Sequence, residues 1–263
     1  MHNEILADYI NPIPSINSKE IDINSLDELL FSNKSLSEKI LVSSWYCESL
    51  IGEREIRPLK FYFEEINQIK REIESSSQND SVEASIKNYI KTIDYEKGTF
   101  PSYSIEYRKA DCISSSSLFL SLSELLDSQL FNDCKLGYIC PKDNSDGHVF
   151  VRKKLEKDYE NIDFGDSYPD EFYYSKFKKL PETKPKEAIL SFLLDNAGVN
   201  IIKKGKTKNY IASLALLDEA IKLTPSLFGI WHNKGVILQF LNRNEEAKKC
   251  LAISNYLKTD SKI

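Results

Sequence analysis

Three short β-rich runs interrupt a chain that is otherwise patterned for helix. They cover residues 135–140, 148–153 and 159–164, and each contains β-branched or aromatic side chains. A polar turn at 143–147 separates the first two runs, which is typical of neighbouring antiparallel strands. An apolar run with helical character, 118–126, precedes them. A helix followed by a small antiparallel sheet predicts an α+β fold for this middle segment.

Helical patterns flank the β-rich runs on both sides. Pro58 precedes an amphipathic stretch that predicts a helix over 59–74, and a further helix is predicted over 81–94. Beyond the β-rich runs, Pro181 and Pro185 mark a linker, after which the pattern is helical to the end. The predicted organisation is a helical N-terminal region over 1–99, a core over 100–180 and a helical C-terminal region over 186–263.

An internal repeat is present in the C-terminal region. The first unit contains Gly198 and then Ala220, and the second contains Gly235 and then Ala247. The two glycines lie 235 − 198 = 37 residues apart, which is the length of a tetratricopeptide unit with about three residues added. We expect the added residues in a turn at 205–209. The alternative is a pair of amphipathic helical hairpins without repeat ancestry, which changes the expected architecture little.

A candidate cysteine-nucleophile site lies in the middle segment. Cys112 begins the apolar helical run, and a helix N-terminus favours a thiolate. His148 begins the second β-rich run and Asp163 lies near the end of the third, in the order of a nucleophile, its base and an acid that orients the imidazole. The other two histidines, His2 and His232, lie near the N-terminus and within the repeat. A Cys–His site in this chain therefore requires His148.

Structural roles are the alternative for each of these residues. A lone cysteine is more often buried in a core than reactive, and a strand histidine can be simply half-exposed. Three further acids lie close to Asp163 in the sequence: Asp158, Asp166 and Asp170. Asp163 is preferred because it ends an alternating run whose inner face can reach His148. A serine nucleophile at 114–117 is disfavoured because no Gly-x-Ser-x-Gly elbow surrounds these serines.

The segments around these residues resemble bacterial transglutaminase-like proteins of the papain-like superfamily that carry C-terminal tetratricopeptide repeats. The resemblance covers about residues 100–257, and it rests on the segments 108–114, 117–126, 147–152, 161–163 and 170–174. It implies a papain-like core in which Cys112 is the nucleophile, His148 the general base and acid, and Asp163 the orienting acid. It also implies acyl transfer at amide bonds of a protein or peptide, by hydrolysis, deamidation or cross-linking, without a cofactor.

One residue departs from the family pattern. The positions before the nucleophile are usually small, often with a glycine, and here they are Ala110 and Asp111. A carboxylate beside a thiol disfavours the thiolate unless it points to solvent or caps the helix. This leaves a second hypothesis open, in which the core is an inactive scaffold and the repeats bind a protein partner.

Composition narrows the expected partners and compartment. A net charge of −5 argues against nucleic acid as a partner, and no apolar stretch of ~18 residues predicts a membrane span. Five irregularly spaced cysteines fit no zinc pattern and favour a reducing, cytoplasmic compartment. We expect a protein or peptide to bind the inner face of the repeats, which includes Asn196, Asn200, Asn233 and Gln239.

Overall fold

A computed structural model of the protein describes residues 30, 32–52, 56–76, 80–96, 99–139, 148–164, 182–202 and 207–260. It has the predicted α+β character, with helices before and after a small antiparallel sheet. The helices are α1 (Leu36–Ile51), α2 (Leu59–Ser76), α3 (Val82–Lys91), α4 (Pro101–Tyr107), α5 (Cys112–Leu126), α6 (Ser128–Asp133), α7 (Ala188–Ile202), α8 (Thr207–Leu223), α9 (Phe228–Phe240) and α10 (Asn244–Asp260). The strands are β1 (Asp94–Tyr95), β2 (Lys109–Ala110), β3 (Cys134–Ile139), β4 (His148–Lys154), β5 (Tyr159–Ile162) and β6 (Glu182–Lys184).

The chain divides into two compact units. One contains residues 34–45 and 57–189, and therefore the whole sheet and helices α2 to α6. The other contains residues 46–56 and the C-terminal helices from residue 190. Residues 57–99 group with the sheet in this division. Within the described ranges, no helix is long and apolar enough to cross a membrane.

The main sheet has four antiparallel strands in the order β5-β4-β3-β6. Its three longer strands match the predicted β-rich runs to within two residues at each end, although Cys140 lies outside the described residues. The expectation of a linker between Pro181 and Pro185 is wrong for residues 182–184, which form β6 and pair with β3. A three-residue edge strand is too short to leave a periodic pattern in the sequence.

Two further boundaries differ from the sequence expectation. The helix predicted over 81–94 ends at Lys91, and Asp94–Tyr95 instead pairs in parallel with Lys109–Ala110 as a two-stranded ribbon. Helix α4 ends where Arg108 adopts a left-handed conformation with φ of 57°, which turns the chain into β2. The ribbon leads directly into Asp111 and helix α5, and so it fixes where that helix begins.

Gly137 allows β3 and β4 to pack closely. It pairs with Phe150, and a Cβ atom at position 137 would lie 2.5 Å from the Phe150 ring and 2.9 Å from Cγ of Arg152. The Phe150 side chain is fully buried and cannot move aside cheaply. Its ring stacks near the His148 imidazole, with 6.0 Å between the ring centroids. Gly137 therefore maintains the packing around His148.

The C-terminal helices form two hairpins with matching glycine contacts. A Cβ atom at Gly198 would lie 3.3 Å from Leu217, and one at Gly235 would lie 2.8 Å from Leu251. The contacted leucines are 251 − 217 = 34 residues apart, whereas the two glycines are 37 residues apart. The three extra residues of the first unit therefore lie between Gly198 and Leu217. They do not all fall in the turn expected at 205–209, because α8 begins at Thr207. The tetratricopeptide assignment stays a prediction.

The close contact at Gly137 generates a stability prediction. Gly137→Ala should lower the free energy of unfolding by about 1–3 kcal/mol, because its methyl group would overlap the buried Phe150 ring. Gly229→Ala is the matched control, since no atom lies within 4 Å of a Cβ built there and alanine favours the helix. Urea unfolding of both variants measures the difference. Equal stability of the two variants would contradict the β3–β4 packing.

Candidate active site

His148 and Asp163 form a short hydrogen bond between neighbouring strands. Nε2 of His148 lies 2.8 Å from Oδ2 of Asp163, and both side chains are largely buried. The strand register pairs Val151 with Ile162, and one step further it sets Asp163 opposite Phe150. Alternate residues share a face, so Asp163 reaches the side of the sheet that carries His148. An ionised carboxylate only accepts hydrogen bonds, so Nε2 carries the proton in this pair.

Cys112 is the third side chain at this point of the fold. It is the first residue of α5, its side chain is partly exposed, and its interaction with the His148 imidazole contributes to the raised pKa of that ring. Because Asp163 occupies Nε2, the nitrogen available to the sulfur is Nδ1. The structure therefore brings together all three residues of the candidate site that the sequence singles out.

The electrostatic environment keeps His148 protonated. Burial alone would lower the pKa of the imidazole, but the hydrogen bonds and negative charges of Asp163 and Cys112 outweigh that cost. Together they raise the His148 pKa from its ordinary 6.5 to about 10. The imidazole is therefore a cation at neutral pH.

Of the three other acids near Asp163 in the sequence, the structure describes only Asp158. Asp158 lies at the start of β5 and accepts the backbone N–H of Tyr159 at 2.8 Å. Asp166 and Asp170 lie outside the described residues.

Phe164, next to Asp163, packs its ring 5.5 Å from that of Phe119 on α5. This contact ties the Asp163 segment to the helix that carries Cys112.

Asp111 caps the helix that Cys112 begins. Its Oδ1 accepts the backbone N–H of Ser114 at 2.8 Å, and its side chain is buried rather than pointing to solvent. The hydroxyl of Thr99 accepts the backbone N–H of Asp111 at 2.8 Å and donates to Oγ of Ser114 at 3.3 Å. Sequence reasoning missed Thr99, because nothing in a single sequence signals a contact between residues that helix α4 and strand β2 separate.

The other described cysteines have a different environment. Cys47, Cys134 and Cys250 are buried, whereas Cys112 is partly exposed. Burial raises the pKa of Cys134 to about 12 and raises the pKa values of Cys47 and Cys250 as well. Of the four thiols that the structure describes, only Cys112 combines exposure with an imidazole partner.

Comparison of this chain with protein-family models, curated proteins and solved structures finds no match. The site is therefore interpreted from its own geometry. Among the residues with described positions, no group of three or more histidines, cysteines and acids is placed to hold a metal ion. What the arrangement offers is a thiol, a cationic imidazole in contact with it, and a carboxylate that fixes the ring.

The raised pKa of His148 generates a stability prediction. Protonation of an imidazole with a raised pKa stabilises the fold fully below the unfolded pKa of 6.5, and this contribution is lost as the pH rises through about 10. Asp163→Asn should therefore destabilise the protein most at about pH 5 to 6.5 and much less near pH 10, as measured by urea unfolding. Asp158→Asn, at the other end of β5, is the matched control and should show no such trend. A constant cost of Asp163→Asn from pH 5 to 10 would contradict the pairing.

Proposed function

We propose that this protein is a cysteine-dependent enzyme that transfers acyl groups from amide bonds of a protein or peptide. The observation that carries the proposal is the interaction of a partly exposed Cys112 with His148, whose imidazole is hydrogen-bonded to Asp163. A thiol at a helix N-terminus, paired with an imidazole that a carboxylate orients, is the arrangement used for nucleophilic attack on carbonyl carbon.

The chemistry follows from the protonation states. The Cys112 thiolate attacks the amide carbon, a C–S bond forms, and the carbonyl electrons move to oxygen. As the C–N bond breaks, the His148 imidazolium donates its proton to the departing amine, and a thioester remains on Cys112. Water or a second amine then attacks the thioester while His148 accepts the incoming proton. Asp163 holds the ring in one orientation throughout.

Backbone donors at the start of α5 are the proposed stabilisers of the developing oxyanion. The first N–H groups of a helix lack partners within the helix, and they point towards its N-terminal end. The N–H of Cys112 is the best placed of these donors, because the carbonyl under attack must approach the Cys112 side chain. Such donors act on charge that appears only in the transition state.

The proposal includes the transglutaminase-like family and its papain-like core. It is supported by the order of the elements, since a helix that begins at the nucleophile precedes antiparallel strands that carry the histidine and the acid. It is also supported by the residues in 108–114 and 147–152 that resemble the family. Hydrolysis, deamidation and cross-linking share this chemistry and differ in the leaving group and the acceptor.

A second candidate function is protein binding by the C-terminal hairpins, either alone or in support of catalysis. A cluster of polar side chains on the first helices of the hairpins favours the binding function. Nδ2 of Asn233 donates to Oδ1 of Asp195 at 2.8 Å, which links the first helices of the two hairpins. Asn200 donates to Oδ1 of Asn196, whose Nδ2 is buried without a hydrogen-bond partner in the described part of the chain. An amide donor of this kind is suited to a peptide carbonyl.

Acyl-enzyme formation separates the two candidates. The full chain is incubated with a glutamine-containing peptide and a labelled primary amine, and mass spectrometry follows peptide cleavage, deamidation, amine incorporation and thioester on Cys112. We expect turnover to fall by about 10³-fold or more in Cys112→Ala. Cys250→Ala, which removes a buried thiol, should retain the wild-type turnover.

The three products assign the reaction. Cleavage identifies a protease, deamidation without amine incorporation identifies a deamidase, and incorporation identifies a cross-linking enzyme. Acyl transfer is refuted if an activated ester, offered as a less demanding substrate, acylates wild type no faster than Cys112→Ala. Binding by the C-terminal hairpins would then be the remaining function.

A further inference from the structure

Three buried residues form a closed set of hydrogen bonds around the start of α5. The backbone N–H of Asp111 donates to the Thr99 hydroxyl at 2.8 Å, and that hydroxyl donates to Oγ of Ser114 at 3.3 Å. The Ser114 N–H donates in turn to Oδ1 of Asp111 at 2.8 Å. We call this set the capping ring. Cys112 lies between Asp111 and Ser114 in the chain, so the capping ring holds the backbone on both sides of the thiol residue.

Thr99 is the member of the capping ring that comes from a separate part of the fold. It precedes α4, whereas Asp111 and Ser114 belong to the start of α5. The pairing of β1 with β2 ends at Ala110, whose carbonyl accepts the Glu96 N–H at 3.0 Å. The next N–H belongs to the buried Asp111 and needs an acceptor, which the Thr99 hydroxyl supplies. Thr99 therefore fixes the chain where the ribbon ends and the helix begins.

We propose that Thr99 is a positioning residue for Cys112, because it fixes the first turn of α5 so that the thiol meets the His148 imidazole. The inference rests on the proposed acyl-transfer function. Cys112 is the first residue of the helix, so the start of α5 determines where its sulfur lies relative to the ring on β4. The Cys112 N–H, the proposed oxyanion donor, belongs to the peptide group that follows Asp111. The same hydrogen bonds therefore place this donor as well.

The Thr99→Val variant opens the capping ring while it keeps the branched shape of the side chain. It removes the hydroxyl that the Asp111 N–H and the Ser114 hydroxyl contact inside the protein. We expect acylation of Cys112 by an activated ester to slow by about 10- to 100-fold, since a misplacement of about 1 Å has a cost of this order. Thr99→Ser restores the hydroxyl and should return the rate to within about threefold of wild type.

The pKa of His148 supplies a readout that a purely structural role would not move. Asp163 and Cys112 both help to raise this pKa to about 10. A displaced Cys112 contributes less, whereas Asp163 is held by the pairing of β4 with β5. Nuclear magnetic resonance titration should therefore give a lower His148 pKa in Thr99→Val, by about half or more of the decrease that Cys112→Ser causes. Thr99→Ser should give the wild-type pKa.

Thr224→Val is the matched control. Thr224 is also a buried threonine, and its hydroxyl accepts a hydrogen bond from that of Ser191 at 2.8 Å in the compact unit that does not contain Cys112. This variant should leave the acylation rate and the His148 pKa as in wild type. If Thr99→Val does not fold, Ser114→Ala opens the capping ring from within α5, where alanine favours the helix. Both readouts should then change in the same direction.

The outcomes separate this inference from the proposed function. A folded Thr99→Val variant with the wild-type His148 pKa overturns the inference, and so does an equal change of both readouts in Thr224→Val. If the ester acylates wild type no faster than Cys112→Ala, the proposed function is refuted instead. The titration then still decides whether Thr99 positions Cys112 against His148.

Discussion

The hydrogen bond between His148 and Asp163 is the interaction on which the candidate site depends. It requires β4 and β5 to pair in one register, since a slip of one residue would turn Asp163 to the other face of the sheet. Packing on both sides enforces that register: Phe164 holds the end of β5 against α5, and Gly137 makes room for the ring that stacks near His148. The imidazole is therefore oriented by the fold before any substrate arrives.

The charge of the buried imidazole determines what this arrangement can do chemically. Burial would lower the His148 pKa, but the interactions with Asp163 and Cys112 raise it. Under the proposed function, this one histidine activates the thiol and then donates a proton to the leaving amine, so it serves both halves of the acyl transfer.

Local periodicity explains why much of this could be predicted from the sequence. A helix that begins at Cys112 and two strands of period two are local patterns, and they bring His148 and Asp163 onto one face. The rest depends on contacts between distant segments. Neither the short strand at 182–184 nor the hydrogen bond that the Asp111 N–H donates to Thr99 leaves a pattern in one sequence, because each depends on a partner that only the fold brings near.

The charge state of His148 is the most direct test of the thiolate–imidazolium pair. Nuclear magnetic resonance titration of the ring, assigned by comparison with His148→Ala, measures it without any substrate. We predict that the wild-type ring stays protonated through neutral pH, with its pKa raised to about 10, and that Cys112→Ser lowers this pKa by removing the thiolate. A ring that titrates near 6.5 and does not respond to Cys112→Ser would contradict the pair.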